Sequence, residues 1–142
     1  MIMNFRDDYY FLSNFYPCEV LYDGHKYLSA EAAFQAQKTT DNNEKALFET
    51  YSASVAKRHG REVCIRDDWE KVKVSLMYDI VLAKFTSNPV LADRLLATGN
   101  ETLAEGNTWG DTFWGVCNGN GKNMLGIILM KVRDALRIKE TL

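Results

Sequence analysis

Ligands for a metal are scarce in this chain. Among 142 residues there are two histidines, His25 and His59, and three cysteines, Cys18, Cys64 and Cys117. No CxxC pair occurs, and neither histidine stands at a ligand spacing from a cysteine. That excludes the common structural zinc patterns, so no metal is expected. An odd, scattered set of thiols also argues against a disulfide framework and for a reducing cytoplasm. Prolines number two, Pro17 and Pro89, and no Ser/Gly-rich linker interrupts the chain. The expectation is therefore one domain over residues 1–142. Long apolar runs are missing: the best, Leu125 to Met130, stops at Lys131, far short of the roughly 18 residues of a membrane span. Residues Met1 to Asp8 lack the cationic and apolar regions of a signal peptide. A basic excess is absent too, with 17 Lys and Arg against 19 Asp and Glu, a formal net charge of −2. Gripping a nucleic-acid backbone over a charged surface is disfavoured; any nucleic acid would be read through a pocket.

What is present is an ordinary globular balance, 46% hydrophobic and 25% charged, with a generous 12% of aromatics. Asp23-Gly24 separates Glu19–Tyr22 from His25–Leu28, a strong type I′ hairpin signal. Ser29 is a good N-cap for a helix over Ala30–Thr39, rich in Ala, Glu and Gln. A second helix is expected from Asn43 to His59, with Gly60 as its C′ stop. Asp67 or Asp68 caps a third, along which Trp69, Val72, Leu76, Ile80 and Ala83 form a stripe. A fourth runs from Asn88-Pro89 to Thr98-Gly99, and a fifth carries Leu125, Ile128, Leu129, Val132 and Leu136. A short strand is expected at Thr102–Glu105. The fold class is α+β, mostly helical with a small antiparallel sheet.

Three segments could carry chemistry. The loop Gly106–Lys122, about 17 residues, holds Asp111 and three aromatics, Trp109, Phe113 and Trp114, that want burial or a flat ligand. Its end, Asn118-Gly119-Asn120-Gly121-Lys122-Asn123, offers backbone N–H groups before a helix. That suits an anion cradle or an ordinary Gly-rich turn. Glu31, Gln35 and Lys38 are spaced four and three apart and share a helix face, the charges about 10 Å apart along the axis. Such a pair usually lies on a solvated face, but Ala30, Ala33, Phe34 and Gln37 make no rich apolar stripe opposite it. Ser13 and Asn14, between apolar residues, serve a turn or a ligand. No Ser/His/Asp or Cys/His triad is recoverable. His59 sits where a helix dipole ends, His25 is expected to face solvent, and Cys117 reads as buried filler before nucleophile.

Phe11-Leu12-Ser13-Asn14-Phe15, Tyr27-x-Ser29-x-Glu31 and Phe34-Gln35-Ala36-Gln37-Lys38 resemble the opening signature of the NADAR, or YbiA-like, family. The likeness continues through Asp68-Trp69, Met77 and Lys84-Phe85 to Leu95-Leu96-x-Thr98-Gly99. It then reaches Asp111-x-x-Trp114-Gly115 and Gly121-x-Asn123-x-Leu125-Gly126, so it spans almost the whole chain. Two positions depart: Ala32 stands where many members carry His, and Cys117 where Gly is common.

The resemblance implies an α+β domain that hydrolyses N-glycosidic bonds without a metal or redox cofactor. The substrate it implies contains ADP-ribose or ribose phosphate. ADP-ribose on guanine in DNA, reached through the modified base, comes first. A ribosylamino-pyrimidine phosphate of riboflavin synthesis is the alternative, and a non-catalytic module sensing ADP-ribose or NAD is the third. Splitting a ribosyl C1–N bond builds positive charge on the sugar, which a carboxylate stabilises. Glu31 is expected in that role, with Asp111 as the second acid. Lys38 either neutralises charge or attacks the open-chain C1 as a Schiff base. Trp109 and Trp114 would stack on the base or close the pocket. Ser13, Asn14, Tyr27 and Gln35 would read polar edges, and Asn118 to Asn123 would hold phosphate.

Overall fold

The computed structural model describes residues 1–141. After a 3-10 helix at Asp7–Leu12, the chain forms β1 (Val20–Tyr22), β2 (His25–Tyr27), α1 (Ala30–Ala36), α2 (Asn42–Phe48), α3 (Ala53–His59), α4 (Trp69–Ser87) and α5 (Pro89–Ala97). It ends with β3 (Gly106–Asn107), β4 (Val116–Cys117) and α6 (Met124–Thr141). Helices dominate, and β1 and β2 are the small antiparallel sheet, as the α+β reading expects. Two contact units account for the described residues. One joins Met1–Ser13 to residues 89–141; the other is Asn14–Asn88.

In Asn14–Asn88 the hairpin turns where the sequence says it should. Asp23 and Gly24 both have positive φ, 49° and 81°, as a type I′ turn requires. Val20 pairs with Tyr27 and both are fully buried; Leu21 pairs with Lys26 and both are exposed. The next helix, α1, starts at the expected cap, Ser29 Oγ accepting from the Ala32 N–H at 3.1 Å. It ends at Ala36, three residues before Thr39. Every residue of α1 is buried, because α2, α3, α4, β1 and β2 all pack on it. A helix covered on all sides shows no apolar stripe, and its alanines let the neighbours approach.

Some expectations fail for local reasons. The helix expected over Asn43–His59 is two helices. Thr50 turns its hydroxyl onto the Leu47 carbonyl, and Ser52 caps α3 through the Val55 N–H. Gly60 is no C′ stop, since its φ of −60° is right-handed. Asp68 is the N-cap residue of α4, yet its carboxylate pairs with Arg66 at 2.6 and 3.1 Å instead of capping. The buried residues of α4 are Trp69, Met77, Ile80, Val81, Lys84 and Phe85, while Val72, Leu76 and Ala83 are half-buried.

In the other unit α5 packs on α6 through a buried apolar set including Leu95, Leu125, Leu129 and Val132. Arg133, buried, donates from Nη1 to Thr98 Oγ1 and to the Glu101 carbonyl, each at 2.9 Å. Arg137 donates to the Gly99 carbonyl. These bonds satisfy carbonyls and a hydroxyl just past α5. The strand expected at Thr102–Glu105 is absent; Leu103 makes only an isolated parallel bridge to Ile2. The pairing lies just beyond it, where β3 runs parallel to β4 with Gly106 opposite Val116.

Candidate active site

Glu31 occupies the first turn of α1, 8% exposed, its backbone N–H donating to the Asn14 carbonyl at 2.9 Å. One turn on, Gln35 Nε2 donates to Glu31 Oε1 at 2.8 Å. Lys38 lies two residues beyond the helix, in the turn where its N–H reaches the Gln35 carbonyl at 3.2 Å. Its ammonium stands 5.9 Å from the centroid of Trp69, a buried ring tilted against Phe34. Burial pulls that ammonium below the usual lysine range; the Glu31 carboxylate opposes the shift, and Arg61 adds to it. Carboxylate and ammonium thus feel each other from the first turn of α1 to the turn that follows it, Glu31 buried and Lys38 half-buried, where charge interactions are stronger.

The remaining residues assigned to this unit lie beneath that face. Asn14 is buried and turns its amide onto Met77 Sδ at 3.3 Å. Tyr27 is fully buried, and burial pushes its phenol up to about 12, so it stays neutral. Gln37 Nε2 lies 3.5 Å from the Tyr27 hydroxyl and 2.9 Å from the Ala33 carbonyl. Both Asn14 and Tyr27 therefore support the helix that carries Glu31.

The loop of the other unit keeps many polar groups for itself. Asp111 Oδ1 accepts from the Phe113 and Trp114 N–H groups at 3.1 and 2.9 Å. Asn107 clasps the Asp111 backbone from both sides, through Nδ2 to its carbonyl and Oδ1 from its N–H. The Asn123 amide is spent on the Glu105 N–H and the Leu103 carbonyl. Trp109 is 60% exposed, whereas Trp114 is half-buried and meets Phe113 edge-on at 4.8 Å. Asn118 is exposed with a φ of 53°, and Gly119 and Gly121 are also at positive φ. Ser13 is half-buried and donates its N–H to the Tyr10 carbonyl. The structure thus groups Asn14, Tyr27, Glu31, Gln35 and Lys38 in one unit. Ser13, Trp109, Asp111, Trp114, Asn118 and Asn123 belong to the other.

The NADAR domain family model matches residues 3–137. The chain belongs to that family. N-glycosidase YbiA of Escherichia coli is 38% identical over 146 residues, covering 98% of this chain and 91% of that protein. The NMR structure of Escherichia coli YbiA superposes with a TM-score of 0.87 at 37% identity, over 99% of this chain and 88% of that one. A riboflavin biosynthesis protein of Vibrio vulnificus is 41% identical over 131 residues; the match takes in 89% of this chain but 35% of that protein's length.

Two features of this NADAR domain escape sequence reasoning. Gln35 reads as a ligand contact, but its Nε2 is committed to Glu31 and its Oε1 is buried with no partner among the described residues. An orphaned carbonyl of that kind costs about 1–3 kcal/mol. Lys84 is noticed only as a signature residue, yet it is 1% exposed, between the Tyr16 and Phe85 rings, with its ammonium pulled down to about 8 by burial. No periodicity betrays a lysine inside a core. Expected to face solvent, His25 is instead clasped between Glu49 at 3.1 Å and Asn42 at 3.0 Å. Among the described residues no group of three or more His, Cys, Asp and Glu side chains is placed to hold a metal ion.

Proposed function

We propose that this NADAR domain is an N-glycosyl hydrolase that cleaves the bond between ribose C1 and the nitrogen of a base. The observation that carries the reading is a buried carboxylate, Glu31, in α1 and a pKa-lowered amine, Lys38, in the turn that follows it, the two charges interacting. Several relatives named N-glycosidase match nearly the full chain, which supports the same reaction class. Glu31 stabilises positive charge at C1 and orients the water. Lys38 acts as the nucleophile. Its neutral amine adds to C1 of the ring-opened sugar, and the base leaves with the proton the amine gives up. Water then hydrolyses the imine, releasing the sugar aldehyde and restoring the amine. Burial supports this role by raising the neutral fraction of Lys38 near pH 7. Borohydride added during turnover should fix a sugar adduct on Lys38, found by peptide mass spectrometry. No adduct, with activity kept in Lys38→Arg, assigns the side chain an electrostatic role.

For the substrate, ADP-ribose attached to guanine in DNA is one reading. Asp111 is proposed as the second acid, Trp109 and Trp114 as rings that stack on the base or close the pocket, and the Asn118–Asn123 turn as the phosphate holder. The second reading, a ribosylamino-pyrimidine phosphate, is favoured by the relatives named for riboflavin biosynthesis. Release of free base from an ADP-ribosylated guanine oligonucleotide, set against release from the pyrimidine phosphate, separates them. Tight ADP-ribose binding with turnover of neither substrate leaves a sensing module.

A further inference from the structure

Gly60 has a conformation open to any residue, with a φ of −60°. Backbone freedom does not explain a glycine there; space does. A methyl group at this buried position would overlap Gln35 Oε1, stand 2.8 Å from Gln35 Cδ and lie 3.2 Å from the Ala56 carbonyl. Gln35 is itself 7% exposed, held where α3 crosses α1. Its amide has one good hydrogen bond, from Nε2 to Glu31 Oε1, and its oxygen is turned onto the bare Gly60. Turning the amide over would set a carbonyl oxygen against a carboxylate, so the Glu31 side fixes the orientation.

We infer that Gly60 is a positioning residue for Glu31, acting through Gln35. The missing Cβ leaves room for the amide, and the amide aims the carboxylate and favours its charged form. This inference rests on Glu31 being the carboxylate of the proposed reaction. It assigns no substrate contact to Gly60.

Gly60→Ala should lower kcat about tenfold while KM stays within about threefold. Loss of the donor should move the acid limb of the pH–rate profile upward by about half a unit. Gln35→Ala should do the same, and in its background Gly60→Ala should cost under about twofold more, because both act through one amide. Full activity in Gly60→Ala overturns the inference, as does an equal loss in both backgrounds. If Gly60→Ala does not fold, adding Gln35→Ala should restore folding, and failure to restore it also overturns the inference. A carbon-13 NMR titration of the Glu31 carboxyl gives a readout free of turnover. Its midpoint should rise in Gln35→Met, which nearly keeps the volume, and an unmoved midpoint counts against the inference. Should the wild-type chain hydrolyse no ribosylated base, the functional reading fails, while the titration still decides the roles of Gly60 and Gln35.

Discussion

Two residues show how far burial alone governs chemistry here. Glu31 is withdrawn from water yet reached by an amide, so Glu31→Gln removes charge with little change of shape. Turnover is expected to fall about 10²- to 10⁴-fold with ligand binding largely kept, measured by base release and by calorimetry. Unchanged turnover removes Glu31 from the mechanism. Lys84 is the converse case, a charge in a core that bears on stability. Its folded-state value of about 8 lies below the ordinary lysine range, so the unfolded chain binds more protons from about pH 8 to 10. Stability contributed by this site rises with pH across that window. Compared with Lys84→Met, the wild-type chain should gain on the order of 3 kcal/mol in relative unfolding free energy between pH 7 and pH 10.5. Denaturant titrations at the two pH values measure it, and a pH-independent difference contradicts it. Neither Lys84 nor Gln35 was readable as buried from sequence, because the side chains that enclose them come from distant segments. The spacing of Glu31 and Gln35 was readable, since it depends only on the helix, whereas Lys38 falls in the turn past Ala36, where the helix has already ended.

Elements marked by a local signal were the legible ones. Asp23-Gly24 and Ser29 each act within a few residues, and the structure puts both where expected. The break between α2 and α3 was not legible, because Thr50-Tyr51-Ser52 contains neither Gly nor Pro and side-chain hydroxyls make the interruption. Pairing was equally opaque at Thr102–Glu105, where propensity suggests a strand but Leu103 meets Ile2 in an isolated bridge. The hairpin is tied to α2 by His25 on Glu49 and by the Lys26 N–H donating to Glu49 Oε1 at 2.9 Å. Hydrogen bonds donated to Glu49 and Asn42 hold the His25 imidazole above its usual value, while the bond from the Lys26 N–H and then that from His25 hold the Glu49 carboxylate below its own. The raised histidine contributes stability in full below about pH 6.5, lost as pH rises through its folded value. The depressed carboxylate contributes above about pH 4.5, lost as pH falls through its folded value. Melting of His25→Gln should therefore differ most from wild type near pH 5–6 and less at pH 8. An equal difference at both pH values means no charged clasp forms. In the loop, Asp111→Ala should destabilise the chain by about 1–2 kcal/mol by freeing two backbone N–H groups. Chemical denaturation measures it, and Asp111→Asn, which keeps an acceptor, should restore most of the loss.

At the scale of the whole molecule, class and composition were legible and the division into contact units was not. Helix content and the small sheet follow from period and turn residues, whereas contact grouping depends on which segments meet. The net charge of −2 bears on substrate choice. If ADP-ribosylated DNA is the substrate, recognition rests on the modified base and not on the strand. The logarithm of kcat/KM should then fall with the logarithm of salt at a slope shallower than about −1, fewer than two phosphates neutralised. A slope several times steeper would show a backbone grip that the charge count argues against. Finally, α1 has consequences for evolution and engineering. Four of its seven residues are alanines and all seven are enclosed, so the helix has no solvent-facing side on which substitutions come free of a packing cost. In a saturation library, Ala30–Ala36 should tolerate few substitutions except at Ala32, where many family members carry His, while exposed Leu21 and Lys26 vary freely. New substrate preferences then arise most readily from the segments around α1 and from position 32, the rest of the helix being locked by its neighbours.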